Sequence, residues 1–524
     1  MTRINRISST RIATCLLLSC AAVASPALAR AAEPDNAAEK AQSSGLGDIV
    51  VTAQRREERL QDVPIAVTAI SSEMVQNAQI QNVTDIGTIA PNVFAVAQPG
   101  GNSIPQTTIR GLSAGTTTSP LVDNGVSYYI DGVYLGTILG ALFDLADIER
   151  IEIIRGPAGT LFGTNATGGA INYITSGPKG KLGFRQDVTV GRFGELRTKT
   201  RVDLPEWHGL ALSASYLHSE RGSDVKNRLI THVDYGPSTG GQVGVLTSAR
   251  KLGTSNTEAI HFAARYSGIA GLTVDYRFDK TSEKQVAGAA QVLGFSNGAG
   301  GAGALGIVQA QPFFGGPDYD DLVSAKRLTH VYNDATTPSK IRTRAHNLIA
   351  EYNASDVLTI KNITSWRHAI RGPQANQIDG AGGLVVSGEP FRILTVGGHA
   401  GTNQFSNETQ FIVDTKPLNL TAGLFYYNRR TISGLAPVPF LVFASLPGDV
   451  APGAPPNAFD LTSFGRSRQY AAYGQGTYHL NDQIDLTAGI RYTQDSKTLF
   501  STAGGPPGNT FTYDKGKVTY LVNL

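Results

Sequence analysis

The chain has 524 residues, with 45 Lys and Arg against 42 Asp and Glu, and Arg3, Arg6 and Arg11 alone account for its formal charge of +3. Beyond those three the charges balance, which speaks against a nucleic-acid binder. Its two cysteines, Cys15 and Cys20, both precede residue 30, so the remainder excludes disulfide staples, thiolate metal sites and cysteine nucleophiles.

Residues 1–29 read as an export signal: three arginines, an apolar run over 12–23, then the small-residue pattern Ala27-Leu28-Ala29. The mature chain then begins at Arg30. A lipoprotein signal ending at Cys20 is the alternative, but Leu18 directly before Ser19 fits it poorly. No later stretch approaches the roughly 20 apolar residues of a membrane helix. A membrane form of this chain would therefore be a closed barrel, the other way to satisfy the backbone in lipid.

Residues 30–59 form an arm whose first part is Ala, Glu, Ser and Gln and is expected to be flexible. Within it Asp48, Ile49, Val50, Val51, Thr52 and Ala53 make a short β-prone run. It is expected to be exposed and unpaired, or else to be the first strand of the next domain. Residues 60–176 predict a small α+β domain. A strand over 63–70 leads to a short helix over 72–75, and Asn82 can cap a second helix with Asp85 three residues on. A hairpin over 128–135 turns at Asp131-Gly132. Over 148–154 apolar and charged residues alternate until Arg155-Gly156-Pro157 breaks the strand, and 168–175 is the closing strand.

The texture changes over 181–524, where segments of about ten residues alternate strictly, the pattern of a barrel wall. Leu272, Val274, Tyr276 and Phe278 face one way; Thr273, Asp275, Arg277 and Asp279 face the other. Leu418, Leu420, Ala422, Leu424 and Tyr426 repeat the apolar row, as do Ile484, Leu486, Ala488, Ile490 and Tyr492. Charges on the polar face suit a wet lumen, and Tyr276, Tyr426 and Tyr492 suit an aromatic girdle. Short connections at 205–209, 268–271, 354–356, 415–417 and 481–482 alternate with long polar ones at 220–254, 281–341, 368–401, 431–466 and 496–516. One end of the sheet thus carries tight turns and the other large loops.

Chemistry-bearing motifs are few. Residues 298–303 match GxGxxG with Asp320 beyond, but no clear strand precedes them and Pro312 breaks a following helix. A glycine-rich loop is the better reading. The nine histidines, His208 through His479, show no metal-ligand spacing. No nucleophile–base set stands out, so neither enzymatic activity nor a cofactor or metal is expected.

Five stretches carry a resemblance: DIVVTA at 48–53, LQDVPIAVTAI at 60–70, TIRGL at 108–112, YIDGVYL at 129–135, and DIERIEIIRGPAGTLFGTNATGGAINYIT at 147–175. They resemble the TonB-dependent outer-membrane receptors. The resemblance implies a transmembrane β-barrel with an N-terminal α+β plug in its lumen, residues 48–53 as the TonB box, and import across the Gram-negative outer membrane. It implies TonB, outer-membrane lipid and a ligand such as a ferric siderophore as partners. Arg110 and Arg155 match plug arginines that latch to barrel carboxylates. Loop aromatics Phe313, Phe314, Tyr319, Phe440 and Phe443 are candidate ligand contacts, or pack the loops together. Such barrels have about 22 strands. About 11 are counted here, with another starting near Lys517, so a truncated barrel that cannot close alone is expected. A non-transporting fragment or ligand-binding module is the alternative function.

Overall fold

A computed structural model describes residues 49–524, except 64, 79, 81–82, 99–100, 114–123, 138, 140–146, 230–231, 235–244, 295–304, 307, 334–335, 378–379, 381, 387–388, 392–394, 436–460, 482 and 502–507. All described residues belong to one compact unit, Leu46–Leu524. The signal at 1–29, the arm up to Asp48, Asn82, the GxGxxG match, Phe440 and Phe443 lie outside the described residues.

The N-terminal domain is built on a five-stranded sheet in the order Val67–Ser71, Ile148–Arg155, Gly169–Thr175, Val126–Ile130, Val133–Leu135. Gly169–Thr175 runs parallel to Val126–Ile130 and antiparallel to Ile148–Arg155. Its central strands are buried on both faces, which explains their long apolar runs. Ile151, Ile153, Ile171 and Tyr128 pack on one face; Ile154, Ala170, Tyr129 and Phe162 pack on the other. Asp131 (φ 50°) and Gly132 (φ 80°) adopt the left-handed pair that an Asp-Gly turn favours. The Ser71 hydroxyl accepts from Met74 N at 3.3 Å and caps the helix Ser72–Asn77, two residues longer than expected. The strand expected from residue 63 starts at Val67, after a 3-10 turn Leu60–Asp62. A separate sheet of Val93–Gln98, Gly101–Ile109 and Leu112–Ser113 has no counterpart in the sequence reading.

The second part is a single antiparallel sheet of 12 strands paired in chain order, from Gly183–Gly191 to Asn509–Asn523. These two strands are its edges. The sheet holds the 11 strands counted and the further one expected, which begins at Asn509 rather than near Lys517. Thr510, Thr512 and their neighbours continue the ladder to Ser501 in register. All five short turns fall where expected. The strands run to 21 residues at Leu461–Asn481, about twice what crosses a bilayer at the usual tilt. Their polar ends continue pairing as ribbons, shortening what reads in sequence as loop. The first loop-side connection, Arg192–Gly194, is a tight 3-10 turn.

This sheet wraps the N-terminal domain, and its alternation is inside out. Ile490 and Tyr492 are exposed, whereas Arg491, Thr493, Asp495 and Lys497 between and beyond them are buried. Arg277 and Asp279 are likewise buried, while Tyr216, Ile260, Leu424 and Tyr470 face outward. Phe262, Phe278, His346, Trp366 and Phe405 are consecutive cross-strand partners over five strands. They form one lateral aromatic band, with Tyr426 against Tyr470 at 5.1 Å further round.

Candidate functional site

Within the run expected to be exposed and unpaired, residues 49–53 are described; Val50 remains 41% exposed, but the segment is paired and partly buried. Val50 and Val51 pair antiparallel with Arg59 and Glu58, so the charged stretch that follows folds back to satisfy the backbone. Val51 and Ala53 have no exposed surface and join the core around Tyr129 and Ile154. Between them Thr52 donates twice to the fully buried Glu152: its N–H to Oε1 at 2.9 Å and its hydroxyl to Oε2 at 2.8 Å. Arg150 Nε (2.9 Å) and Asn172 Nδ2 (3.3 Å) complete the ligation of that carboxylate. A buried charge survives only when so satisfied, and Glu152 therefore acts as a clasp on the run.

Arg55 continues the attachment to the barrel wall. Its backbone is left-handed at φ 65°, which turns the side chain inward. The guanidinium lies 4.7 Å from the Phe162 ring centroid and 5.0 Å from that of Tyr129. Nη1 donates to Gly132 O at 2.8 Å, and Nη2 is 3.6 Å from barrel Glu408. Burial works to lower the Arg55 pKa, but Glu408 and the phenols of Tyr129 and Tyr473 outweigh it and hold it above the ordinary guanidinium value. Glu408 also accepts from Tyr473 Oη at 2.5 Å and Gln410 Nε2 at 2.9 Å.

Two further carboxylates tie the inner domain to the wall. Asp131, at the hairpin turn, accepts from the Thr175 N–H and hydroxyl, each at 2.9 Å, and pairs with barrel Arg277. Asp147 pairs with Arg201, lies 3.6 Å from Lys199 Nζ, and accepts from Ser215 Oγ at 3.1 Å. Neutral polar contacts add to these: Gln404 bridges Gly136 N and Tyr134 O, and Thr160 donates to Gln475 at 2.8 Å. Apolar patches such as Val133 on Ile349 and Ile363 complete the interface.

The latch expected at Arg110 and Arg155 is not among these pairs. Among the described residues Arg110 and Arg155 form no ion pair. Arg110 is exposed beside Gly156, and Arg155 Nε is buried without a partner. The latching groups of the inner domain are mainly carboxylates, Asp131 and Asp147, and the arginines stand on the wall. Sequence reading passed over them because Asp131 is explained by its turn and Asp147 by strand alternation. Glu152 offered a signal: a charge at one inward position of a strand otherwise buried.

Of the loop aromatics, the side chains of Phe313 and Tyr319 are described, and they do not share one cluster. Phe313 is 90% exposed on the short helix Gln311–Phe314. Tyr319 instead packs beside Val308, Leu322 and Leu384.

An α+β plug held by polar contacts within an antiparallel wall of outward apolar residues defines a plugged β-barrel. Residues 59–170 match the TonB-dependent receptor plug domain, and residues 293–524 match the β-barrel of TonB-dependent receptors. The chain belongs to the TonB-dependent receptor family. It is 32% identical over 139 residues to a vitamin B12 transporter of Vibrio vulnificus, covering 26% of this chain and 22% of that protein. It is 36% identical over 133 residues to an iron-regulated outer membrane virulence protein of Vibrio cholerae, 24% of this chain and 20% of the relative. The fold matches the ferric yersiniabactin uptake receptor of Yersinia pestis with TM-score 0.64 and 18% identity, over 87% of this chain and 61% of that one. For the ferripyoverdine receptor of Pseudomonas aeruginosa the TM-score is 0.63 and the identity 13%, over 92% and 57%. The chain spans about three fifths of these solved receptors and about a fifth of the curated relatives in the matched stretches.

Proposed function

We propose that this protein, exported by the signal at 1–29, lies in the Gram-negative outer membrane and imports a scarce solute, foremost a ferric siderophore. Energy would come from TonB, which takes hold of Asp48, Ile49, Val50, Val51, Thr52 and Ala53. The plug would occupy 60–176 and the lipid-facing wall 181–524. The observation that carries the reading is the attachment of the run: it is clasped by Glu152 on the plug and followed at once by Arg55, bound to Glu408 on the wall. Glu152 belongs to the strand Ile148–Arg155, which starts beside Asp147, itself fixed to Arg201. A pull on the run therefore loads a strand anchored at its far end to the barrel.

TonB would add to the run as a strand, and strand addition uses main-chain hydrogen bonds rather than particular side chains. Here that requires prior release, because Val50 and Val51 are already paired. The polar interface suits such motion: each broken plug–wall hydrogen bond is replaced by one to water, so the net loss is only about 0.5–1.5 kcal/mol apiece. Ligand contact is proposed at Phe313, Phe314, Tyr319, Phe440 and Phe443, at the loop end of the wall.

The test is uptake of labelled ferric siderophores by a Gram-negative host that relies on this chain. Val50→Pro removes a main-chain donor and fixes φ, so ligand binding should persist while uptake is lost. Normal uptake by this variant contradicts coupling through 48–53. Binding without energy-dependent uptake in the parent supports the ligand-binding module instead.

A further inference from the structure

A cavity of about 320 Å³ lies at the loop end of the sheet, lined by segments near Phe193, Arg221, Leu252, Gly288, Arg327 and Val331. No residue of the plug lines it, which separates it from any site on the plug surface. Its volume falls at the lower end of small-molecule pockets, about 300–1,000 Å³.

The walls are built. Val225, Leu252, Val286 and Val331 form a buried apolar cluster beneath it, with Leu328 packed against them. Lys226–Asn227 pairs in parallel with His330–Val331, joining two loops that are about a hundred residues apart in the chain. Asn227 fastens the joint: its Nδ2 donates to Asn333 O at 2.7 Å and Ala249 O at 3.0 Å, and its Oδ1 accepts from Asn333 N at 3.0 Å. Gln291 fixes the remaining side, donating to Lys326 O at 2.8 Å and accepting from Leu328 N at 2.9 Å.

The polar groups differ in what they have left to offer. Arg327 is engaged by Asp224 at 2.9 Å. Arg221 has no carboxylate or carbonyl partner among the described residues. Its guanidinium carbon stands 5.9 Å from the Phe193 ring centroid. Arg192, which does not line the cavity, lies over the same ring at 5.7 Å, so of the two cations on this aromatic plate Arg221 is the one that faces the cavity above its apolar floor. Gly288 supplies open space: a Cβ there would meet no atom within 4 Å.

We propose that this cavity binds a small planar aromatic carboxylate, its ring on Phe193 and the floor, its carboxylate on Arg221. A guanidinium matches a carboxylate in a bidentate fork, and a flat ring shares the plate that the guanidinium already uses. The site stands independently of the import reading.

The probe is 4-fluorobenzoate, followed by fluorine NMR on the full chain in detergent, with neutral 4-fluorobenzamide as control. The parent should bind the acid saturably, release it to excess benzoate, and bind the amide much more weakly. Arg221→Gln, an exposed substitution that leaves the fold alone, should weaken binding about tenfold to a hundredfold, as loss of a charged hydrogen bond does. Gly288→Phe fills the open space and should abolish binding, with the circular dichroism of the parent retained. No saturable binding into the millimolar range, equal affinity for acid and amide, or unchanged binding in Gly288→Phe would each overturn the proposal.

Discussion

Two strands of this protein show the same alternation and opposite surroundings. In the plug, Ile151 and Ile153 of Ile148–Arg155 are buried in an apolar core. In the wall, Ile490 of Ile484–Ser501 is 60% exposed, and its neighbour Arg491 is 4% exposed. The plug is held together as water-soluble domains are, by burial of its isoleucines and tyrosines. The wall turns its apolar residues outward and its polar ones onto the plug. Where the two meet, the wall side is mostly polar and ion pairs fix it at a few points, with small apolar patches where Ile341, Ala369 and Ala400 join the plug core and Ile349 and Ile363 pack on Val133. Cohesion inside the plug rests mainly on apolar burial and adhesion to the wall mainly on polar pairs, so the two should respond differently to the same kind of substitution.

The largest separation is expected at the latches. Asp131→Ala strands buried Arg277 without its partner, a loss of about 3–5 kcal/mol. Hydrogen exchange should speed up at the plug–wall contact and at Thr175, whose N–H loses its acceptor, while residues 148–155 and 169–174 stay protected. Equal loss of protection in both places would mean that plug and wall form one cooperative unit.

Next in size is the core itself. Ile153→Ala should cost about 2–5 kcal/mol through lost burial and a cavity, seen as faster exchange along Ile148–Arg155. Ile490→Ala on the wall should stay within about 0.5 kcal/mol in detergent. Ile490→Arg should cost about 2–4 kcal/mol if that side chain faces the bilayer midplane. The measurement is folding yield into vesicles against yield into detergent, and equal yields would contradict a lipid-facing position.

The smallest effect is one of pH. Burial pushes the phenols of Tyr128 and Tyr173 above the ordinary tyrosine range. Below about pH 10 they are neutral in folded and unfolded plug alike, and their contribution is fully present. Above that the unfolded chain ionises first, so stability falls as pH rises. Plug protection should be flat from neutral to about pH 9 and decline beyond about pH 10; a decline starting near neutrality would contradict it.

The wall was legible in sequence because a period of two survives whatever lies on either side, and its turns are marked by residues such as Gly271 and Pro417. Strand ends were not: Thr395–Asp414 opens with glycines and polar residues that carry no apolar signal once the strand passes the membrane band. The Asp131-Gly132 turn was readable as a turn, yet its carboxylate serves Arg277, a partner no local pattern reveals. The run at 48–53 was correctly β-prone, but its pairing partner, Glu58–Arg59, is charged and looked like linker. Long-range polar pairing is set by the wrapping of the wall, which sequence spacing does not encode.

Under the proposed function, the run at 48–53 rests in the Glu152 clasp and must leave it before TonB can take hold. Cysteine labelling tests it directly, since the chain has no cysteine beyond Cys15 and Cys20. Val51→Cys should react slowly with maleimide, Phe313→Cys rapidly, and Glu152→Gln in the Val51→Cys background should restore rapid labelling at 51. Labelling of Val51→Cys as fast as Phe313→Cys, with Glu152 intact, would contradict the clasp.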